Sequence, residues 1–405
     1  MKLDQLLQRE DFVSIFIATL SDYFRSSKQW EGHIHWGLHG DHDDINLIVN
    51  SRLNLIYPIS IPTEQLIPLV AEYAYHINPL RHWAQKLYIS VTLAPFFRRF
   101  FSRTKLHITK KSNLPSEICI LPGNHSIRVV DLHLDECVVI RKDGFSASKL
   151  ANTVSARSAY PDMPGPKIID SNIADGWYLE ERIFGLPTDR LESVERINKS
   201  LMATKTFLMQ MYRDTNISEK SLAYIDKKFK AIDAAIDSLP ACYEDSDLDY
   251  IKETKSRLVE ISVSVLKENY VVQISQTHGD LQAANLLVPT YDSTRDVYII
   301  DWEYAGKRCC HYDWFVYGLR SRSPNGLASR IEFLLKCDSL MRSKIDWYDF
   351  SKESFSRVKV LVVLFLIEDF LFRLDDTSLP NLSEIPVGFL SFIEEVRIIS
   401  NFDFD

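Results

Sequence analysis

One stretch of this 405-residue chain concentrates side chains that could do chemistry. It reads His278-Gly279-Asp280-Leu281-Gln282-Ala283-Ala284-Asn285, and Ile299-Ile300-Asp301-Trp302-Glu303 follows. Asp280 and Asn285 stand five residues apart and could face one reaction centre; a second acid, Asp301, ends a short apolar run. Phosphoryl transfer needs such a set. A carboxylate orients the attacking hydroxyl, and oxygen ligands hold the magnesium that neutralises a triphosphate. The plainer alternative is a polar turn between strands with incidental acids.

The string His-Gly-Asp is weak alone, and the chain carries its own control. His39-Gly40-Asp41 also occurs, with Asn46 at the same spacing, but Leu53-Asn54-Leu55-Ile56-Tyr57-Pro58 follows it rather than a strand ending in an acid. The copy at His278 is different. Leu286-Leu287-Val288, a turn-like Tyr291 to Asp296 and Val297-Tyr298-Ile299-Ile300 predict a β-hairpin between Asn285 and Asp301.

With these residues the sequence resembles the aminoglycoside phosphotransferase and choline kinase family of protein-kinase-like small-molecule kinases. That family's signature reads roughly His-Gly-Asp, four residues, Asn, then Ile-Asp-aromatic-Glu. The resemblance implies that Asp280 is the catalytic base, that Asn285 and Asp301 are magnesium ligands, and that the cofactors are ATP and Mg2+. It implies an α+β, protein-kinase-like bilobal fold, with a small β-rich N-lobe and a large helical C-lobe. Here an extra, mainly helical N-terminal region precedes it. The expected divisions are residues 1–112 for that extension, 113–187 for the nucleotide-binding N-lobe, and 188–405 for the C-lobe with the catalytic loop and acceptor site.

Strands are predicted over Glu117 to Leu121, Ser126 to Leu132 and Cys137 to Lys142, with Gly123 and Asn124 in the first turn. By resemblance that turn covers the phosphates, and Arg141 or Lys142 supplies the third-strand cation for them. Side-chain alternation lets only one of the two face a nucleotide. The helix predicted over Ser146 to Ala159 should offer that cation a Glu, yet it holds no acid. Two further strands lead to Glu181-Arg182-Ile183, which resembles the hinge whose backbone, at Glu181 and Ile183, meets the adenine edge. Asp313 would anchor the catalytic region. Residues 189 to 270 are helical by pattern, and Val360 to Ile367 reads as a buried helix.

Composition narrows the classes. Net charge is −8 and no domain is strongly basic, so no nucleic-acid partner is expected. The six cysteines show no metal spacing and read as reduced thiols. The polar start, Met1-Lys2-Leu3-Asp4-Gln5, is unlike a signal peptide, and a cytoplasmic location is expected. The helix predicted over Leu6 to Phe24 is followed by a His- and Asp-rich stretch, His33 to Asp44, read as a solvated loop in preference to a metal site. Residues 80–105 interleave Trp83, Tyr88, Phe96, Phe97, Phe100 and Phe101 with Arg and Lys. The preferred reading is a helix packed on the protein. The other is peripheral contact with the inner face of a membrane. The expected partner is a small-molecule hydroxyl acceptor: a sugar, an amino alcohol or a cell-envelope precursor. A catalytically inactive binding module is the alternative of another class. A protein kinase ranks last, because Asp301-Trp302-Glu303 stands where Asp-Phe-Gly would.

Overall fold

The apolar period from Leu6 to Phe24 predicts one helix, but the protein makes two, α1 (Leu3–Arg9) and α2 (Phe12–Lys28). The break at Glu10 and Asp11 has a tertiary cause: the Glu10 carboxylate is buried and ion-paired with Lys142. The computed structural model describes residues 3–38, 44–75, 78–100, 104–109, 117–266, 270–290, 295–336, 355–377 and 385–402. The control motif at His39 to Asp41 and residues 39–43 of the His- and Asp-rich stretch lie outside them.

The chain divides into two compact units: residues 1–200 with 286–303, and residues 201–285 with 304–405. The first is built on a nine-stranded sheet. Beyond α2 come β1 (Ile34–Gly37), β2 (Asp44–Asn50) and β3 (Leu55–Pro58). Short helices α3 (Thr63–Leu66) and α4 (Ala71–Ala74), then α5 (Pro79–Leu93) and β4 (Lys105–Thr109), follow. Next are β5 (Ile118–Pro122), β6 (Ser126–Asp131), β7 (Glu136–Arg141), α6 (Ser148–Ala159), β8 (Ile168–Asn172) and β9 (Trp177–Glu181). The strand order is β1-β4-β2-β3-β5-β6-β7-β9-β8, antiparallel throughout. The N-terminal region is helical in most of its regular structure, as expected. Its four strands are not predicted by the sequence, and they continue the same sheet as β5 to β9.

Alternation assigns the two sheet faces. Ile118, Ile120, Ile127, Val129 and Ile140 point one way and pack beneath Phe12, Phe16, Leu20 and Phe24 of α2. Cys119, Val130, Cys137, Val139 and Tyr178 point the other way, against Ile89 and Leu93 of α5 and Leu150 of α6. Arg128 shares parity with Val130, and Arg141 shares parity with Val139. Lys142 falls on the α2 side. A smaller sheet in this unit joins β10 (Gly185–Pro187), β13 (Leu286–Pro289) and β14 (Tyr298–Ile299), so the predicted hairpin ahead of Asp301 is present.

The second unit is helical around a three-stranded sheet of β11 (Ile217–Lys220), β12 (Val271–Thr277) and β15 (Gly306–Cys309). Its helices include the end of α7 (Val194–Thr215), then α8 (Ser221–Asp237), α9 (Asp245–Val265), α10 (Tyr312–Gly318) and α11 (Leu327–Lys336). Helices α12 (Phe355–Thr377) and α13 (Val387–Ser400) complete it. Helix α12 is apolar all round from Val360 to Ile367, and every one of those side chains is buried. That is the signature of a helix at the centre of a bundle rather than on its surface.

The Glu10–Lys142 pair generates a prediction. Lys142 is fully buried, stacked near the rings of Phe12 and Phe145. Burial lowers its ammonium from 10.5 to about 8, with Glu10 acting the other way. The unfolded chain therefore binds the extra proton between about 8 and 10.5, and stability rises with pH across that window. The gain is lost as pH falls through about 8. Thermal melts of wild type should show this rise and Lys142→Met should not. Glu10→Ala should cost about 3–5 kcal/mol by stranding a buried cation, while the double change Glu10→Leu with Lys142→Met should cost far less.

Candidate active site

In the second unit the loop from His278 to Asn285 is held by hydrogen bonds to its backbone and between its own side chains. Gly279 has a φ of 86°, and a Cβ there would meet the Tyr304 carbonyl oxygen at 2.1 Å, so no other residue fits. The N–H groups of His278 and Gly279 donate to the two carboxylate oxygens of Asp313, each at 2.8 Å. The Tyr212 hydroxyl donates to the same acid at 2.7 Å. Asp313 thus anchors the loop as the resemblance implies. His278 is buried and accepts the Asp280 N–H on Nδ1 at 3.2 Å, which orients the loop.

Asp280 and Asn285 come together. Asn285 Nδ2 donates to the Asp280 carbonyl at 2.8 Å and to its Oδ2 at 3.2 Å. This leaves the Asn285 amide oxygen as the atom available to a cation. The other Asp280 oxygen accepts from Arg322 Nε at 2.5 Å, and Arg322 Nη2 donates to the Gly279 carbonyl at 2.8 Å. Arg322 lies over the Phe372 ring, 3.6 Å from its centre, and pairs with Asp369. Asp369 is buried; burial alone would raise its carboxyl, but Arg322 and Arg373 hold it below the usual range. Arg322 is missed by the sequence reading, and no motif marks it.

The first unit contains a cavity of about 290 Å3. Leu121, Val130, Cys137 and Leu287 give it apolar walls, and Ile183 and Glu181 of the predicted hinge line it. Asn54, Leu69 and Tyr73 of the N-terminal region close another side. Asp301 is also in its wall, at a left-handed φ of 61°, a conformation that costs a non-glycine residue energy and is frequent at functional sites. Its carboxylate pairs with Arg128, and both side chains remain about one-third exposed (34%). Asp301 holds the Arg128 guanidinium firmly charged, well above its ordinary range. A smaller adjoining pocket, about 30 Å3, shares Arg128 and Asp301 and adds Arg141, Lys149 and Glu303.

The expected pairing of a third-strand cation with a helix acid is replaced by an inverted one. Helix α6 supplies the cation, Arg157, and strand β9 the acid, Glu180, at 2.6 Å. Burial raises the Glu180 carboxyl, and Arg157 and then Arg128 pull it back. Arg141 reaches the pocket and donates to the Phe145 carbonyl at 2.6 Å. Lys142 does not: its ammonium is spent on Glu10 and on the Asn124 carbonyl at 2.9 Å. That corrects the alternative which set it on the phosphates, and the reason is strand parity. Gly123 and Asn124 also turn toward the N-terminal helix, where Arg9 binds both the side-chain and main-chain oxygens of Asn124. The residues on either side of them, Pro122 and then His125 and Ser126, are the ones in the cavity walls. Arg128 is missed by the sequence reading, although its parity with Val130 on a predicted strand would have marked it.

Three guanidinium nitrogens here are buried without a hydrogen-bond partner: Arg141 Nε, Arg157 Nη2 and Arg182 Nε. Orphaned donors of this kind are costly.

No protein-family model matches the sequence, and no curated protein is significantly similar to it. Solved structures are similar in fold. The choline kinase of Streptococcus pneumoniae is 12% identical, with a TM-score of 0.44, over 72% of this chain and 92% of that one. The ethanolamine kinase of Plasmodium vivax is 12% identical, with a TM-score of 0.46, over 85% and 95%. An aminoglycoside phosphotransferase of Streptomyces rimosus is 16% identical, with a TM-score of 0.36, over 64% and 92%.

Asp313 offers a test of the loop. Asp313→Ala would strand two buried N–H groups and the Tyr212 hydroxyl, and should lower unfolding free energy by about 2–5 kcal/mol in denaturant titrations. Tyr212→Phe, which removes only one of the three donors, should cost about 1 kcal/mol.

Proposed function

We propose that this protein is an ATP- and magnesium-dependent phosphotransferase that moves the γ-phosphate to a hydroxyl of a small molecule. The acceptor class is a sugar, an amino alcohol or a cell-envelope precursor. The reading rests on one observation: Asp280 and Asn285 are hydrogen-bonded side by side on a loop that Asp313 locks.

In this mechanism Asp280 accepts the proton of the acceptor hydroxyl and directs its oxygen in line at the γ-phosphorus. The new O–P bond forms as the bond to the β-phosphate oxygen breaks, and ADP leaves with the negative charge. Arg322 and Asn285 keep the Asp280 carboxylate in one orientation, so little reorganisation is needed at the moment of transfer. Asn285 and Asp301 are the oxygen ligands suited to magnesium, which would neutralise the charge developing on the phosphates when bound. For Asp301 to serve, Arg128 must exchange the carboxylate for phosphate oxygens, and Arg141 is the second cation for them. The hinge backbone at Glu181 and Ile183 would read the adenine edge. The inactive binding module is the competing reading, and the Arg128–Asp301 pair favours it, since a metal ligand is occupied by a side chain.

The test uses γ-labelled ATP, magnesium and a fractionated extract of metabolites and envelope precursors. Wild type should label a small molecule, and Asp280→Ala should lower the rate by about 10²–10⁴ while magnesium-ATP still raises its melting temperature. Arg128→Ala should raise the KM for ATP by about tenfold or more, the loss expected for a charge-assisted contact to phosphate. A wild type that binds magnesium-ATP but labels nothing would favour the binding module. No binding at all would sink the nucleotide site.

A further inference from the structure

Helix α5 has one face inside the protein and one face that is exposed. Ile89, Thr92 and Leu93 are buried. On the opposite face Leu80, Trp83 and Leu87 recur at i, i+3 and i+7, and Leu80 is 80% and Trp83 65% exposed. After the helix ends, Phe96, Phe97 and Phe100 form an aromatic cluster with ring centres 5.1 and 6.2 Å apart. Phe96 is 75% and Phe100 74% exposed. The helix packs on the protein through Ile89, Thr92 and Leu93, as preferred, but Trp83, Phe96 and Phe100 stay outside that contact.

This exposure is built rather than incidental. Arg98, between the phenylalanines, is buried. It donates to the carbonyls of Leu93 at 2.7 Å, Ile59 at 2.8 Å and Ile61 at 2.5 Å, and to the Thr63 hydroxyl at 3.0 Å. Asn78 caps the start of α5, accepting the N–H groups of Leu80 and Arg81. With the backbone pinned at both ends, the rings are held out.

Charge selects the partner. Residues 73–116 contain eight Lys and Arg and no Asp or Glu, in a chain with 47 basic and 55 acidic residues. Arg81 and Lys86 are exposed and, by the helical period, fall on either side of the Leu80-Trp83-Leu87 stripe. An apolar stripe flanked by cations, beside outward aromatic rings, is the pattern of a surface that lies in the headgroup region of an anionic bilayer.

We infer that the α5 face and the Phe96–Phe100 cluster form a peripheral docking surface for anionic lipid membranes. The rings enter the interface, and Arg81 and Lys86 meet the lipid phosphates. The same N-terminal region lines the cavity through Glu72 and Tyr73 of α4, the helix just before α5. Binding is therefore placed next to the cavity in the chain. The inference stands independently of the reaction proposed above.

The experiment is vesicle co-sedimentation of the full chain, with no nucleotide. Vesicles are phosphatidylcholine alone or phosphatidylcholine mixed with phosphatidylglycerol. Wild type should sediment with the mixed vesicles and stay in solution with the neutral ones. Trp83→Ser with Phe96→Ser and Phe100→Ser should weaken sedimentation by about tenfold or more, and so should Arg81→Glu with Lys86→Glu. These positions are on the surface, so melting temperatures should match wild type. As a check that needs no multiple variant, the tryptophan emission of wild type should shift to the blue with mixed vesicles, and that shift should be largely lost in Trp83→Phe. The inference fails if wild type ignores mixed vesicles, if it binds neutral ones equally well, or if either multiple variant sediments like wild type.

Discussion

Charge taken out of water must find an opposite charge or a set of dipoles, and the first unit depends on how it meets that constraint. Its cavity is walled by apolar side chains, yet Arg128, Arg157, Glu180 and Asp301 share the same space. Arg157 with Glu180 and Arg128 with Asp301 form two ion pairs that act on each other, since Arg128 also stabilises the Glu180 carboxylate. Removing Arg157 would leave the Glu180 carboxylate stranded in the interior. The arrangement keeps Asp301 in a left-handed backbone conformation and keeps an arginine beside it. The helix without an acid also takes part in such a pair. Its cation, Arg157, pairs with the acid Glu180 on β9.

The second unit meets the same constraint with a different solution. Asp313 spends its two oxygens on backbone N–H groups and the Tyr212 hydroxyl, so the buried acid is satisfied by dipoles rather than by a cation. Asp369, on α12, is flanked by Arg322 and Arg373, and Arg322 passes the connection on to Asp280. One end of this network is deep in the helical core, and the other holds the Asp280 carboxylate, the base in the proposed reaction. A rigid support is what a positioned carboxylate requires, because misplacement by about 1 Å can cost a hundredfold in rate.

The N-terminal region is part of the first unit's architecture. Its four strands extend the sheet that carries β5 to β7, and α2 covers one face of that sheet. Glu10 and Arg9 also hold the turn at Gly123 and Asn124 from outside, through Lys142 and through Asn124 itself. The turn expected to cover phosphates is thereby tied to the extension. A single buried cation links the helix break at Glu10, the parity of β7 and the position of the turn.

Much was legible in the sequence. Period-two alternation located β5, β6, β7 and β9 to within a residue or two, and the apolar run at Val360 identified a fully buried helix. The spacing of Asp280, Asn285 and Asp301 with its hairpin singled out one His-Gly-Asp string over another. These are local signals, carried by neighbours in the chain. The choice between Arg141 and Lys142, the reversed pair Arg157–Glu180, the arginines at Asp280 and Asp301, and the outward face of α5 were decided only in the folded protein. Each depends on which side chain from a distant segment arrives opposite, and composition, period and spacing hold no record of that. Strand parity narrows such choices to one face of a sheet, but only packing and the cost of an unpaired buried charge select the partner.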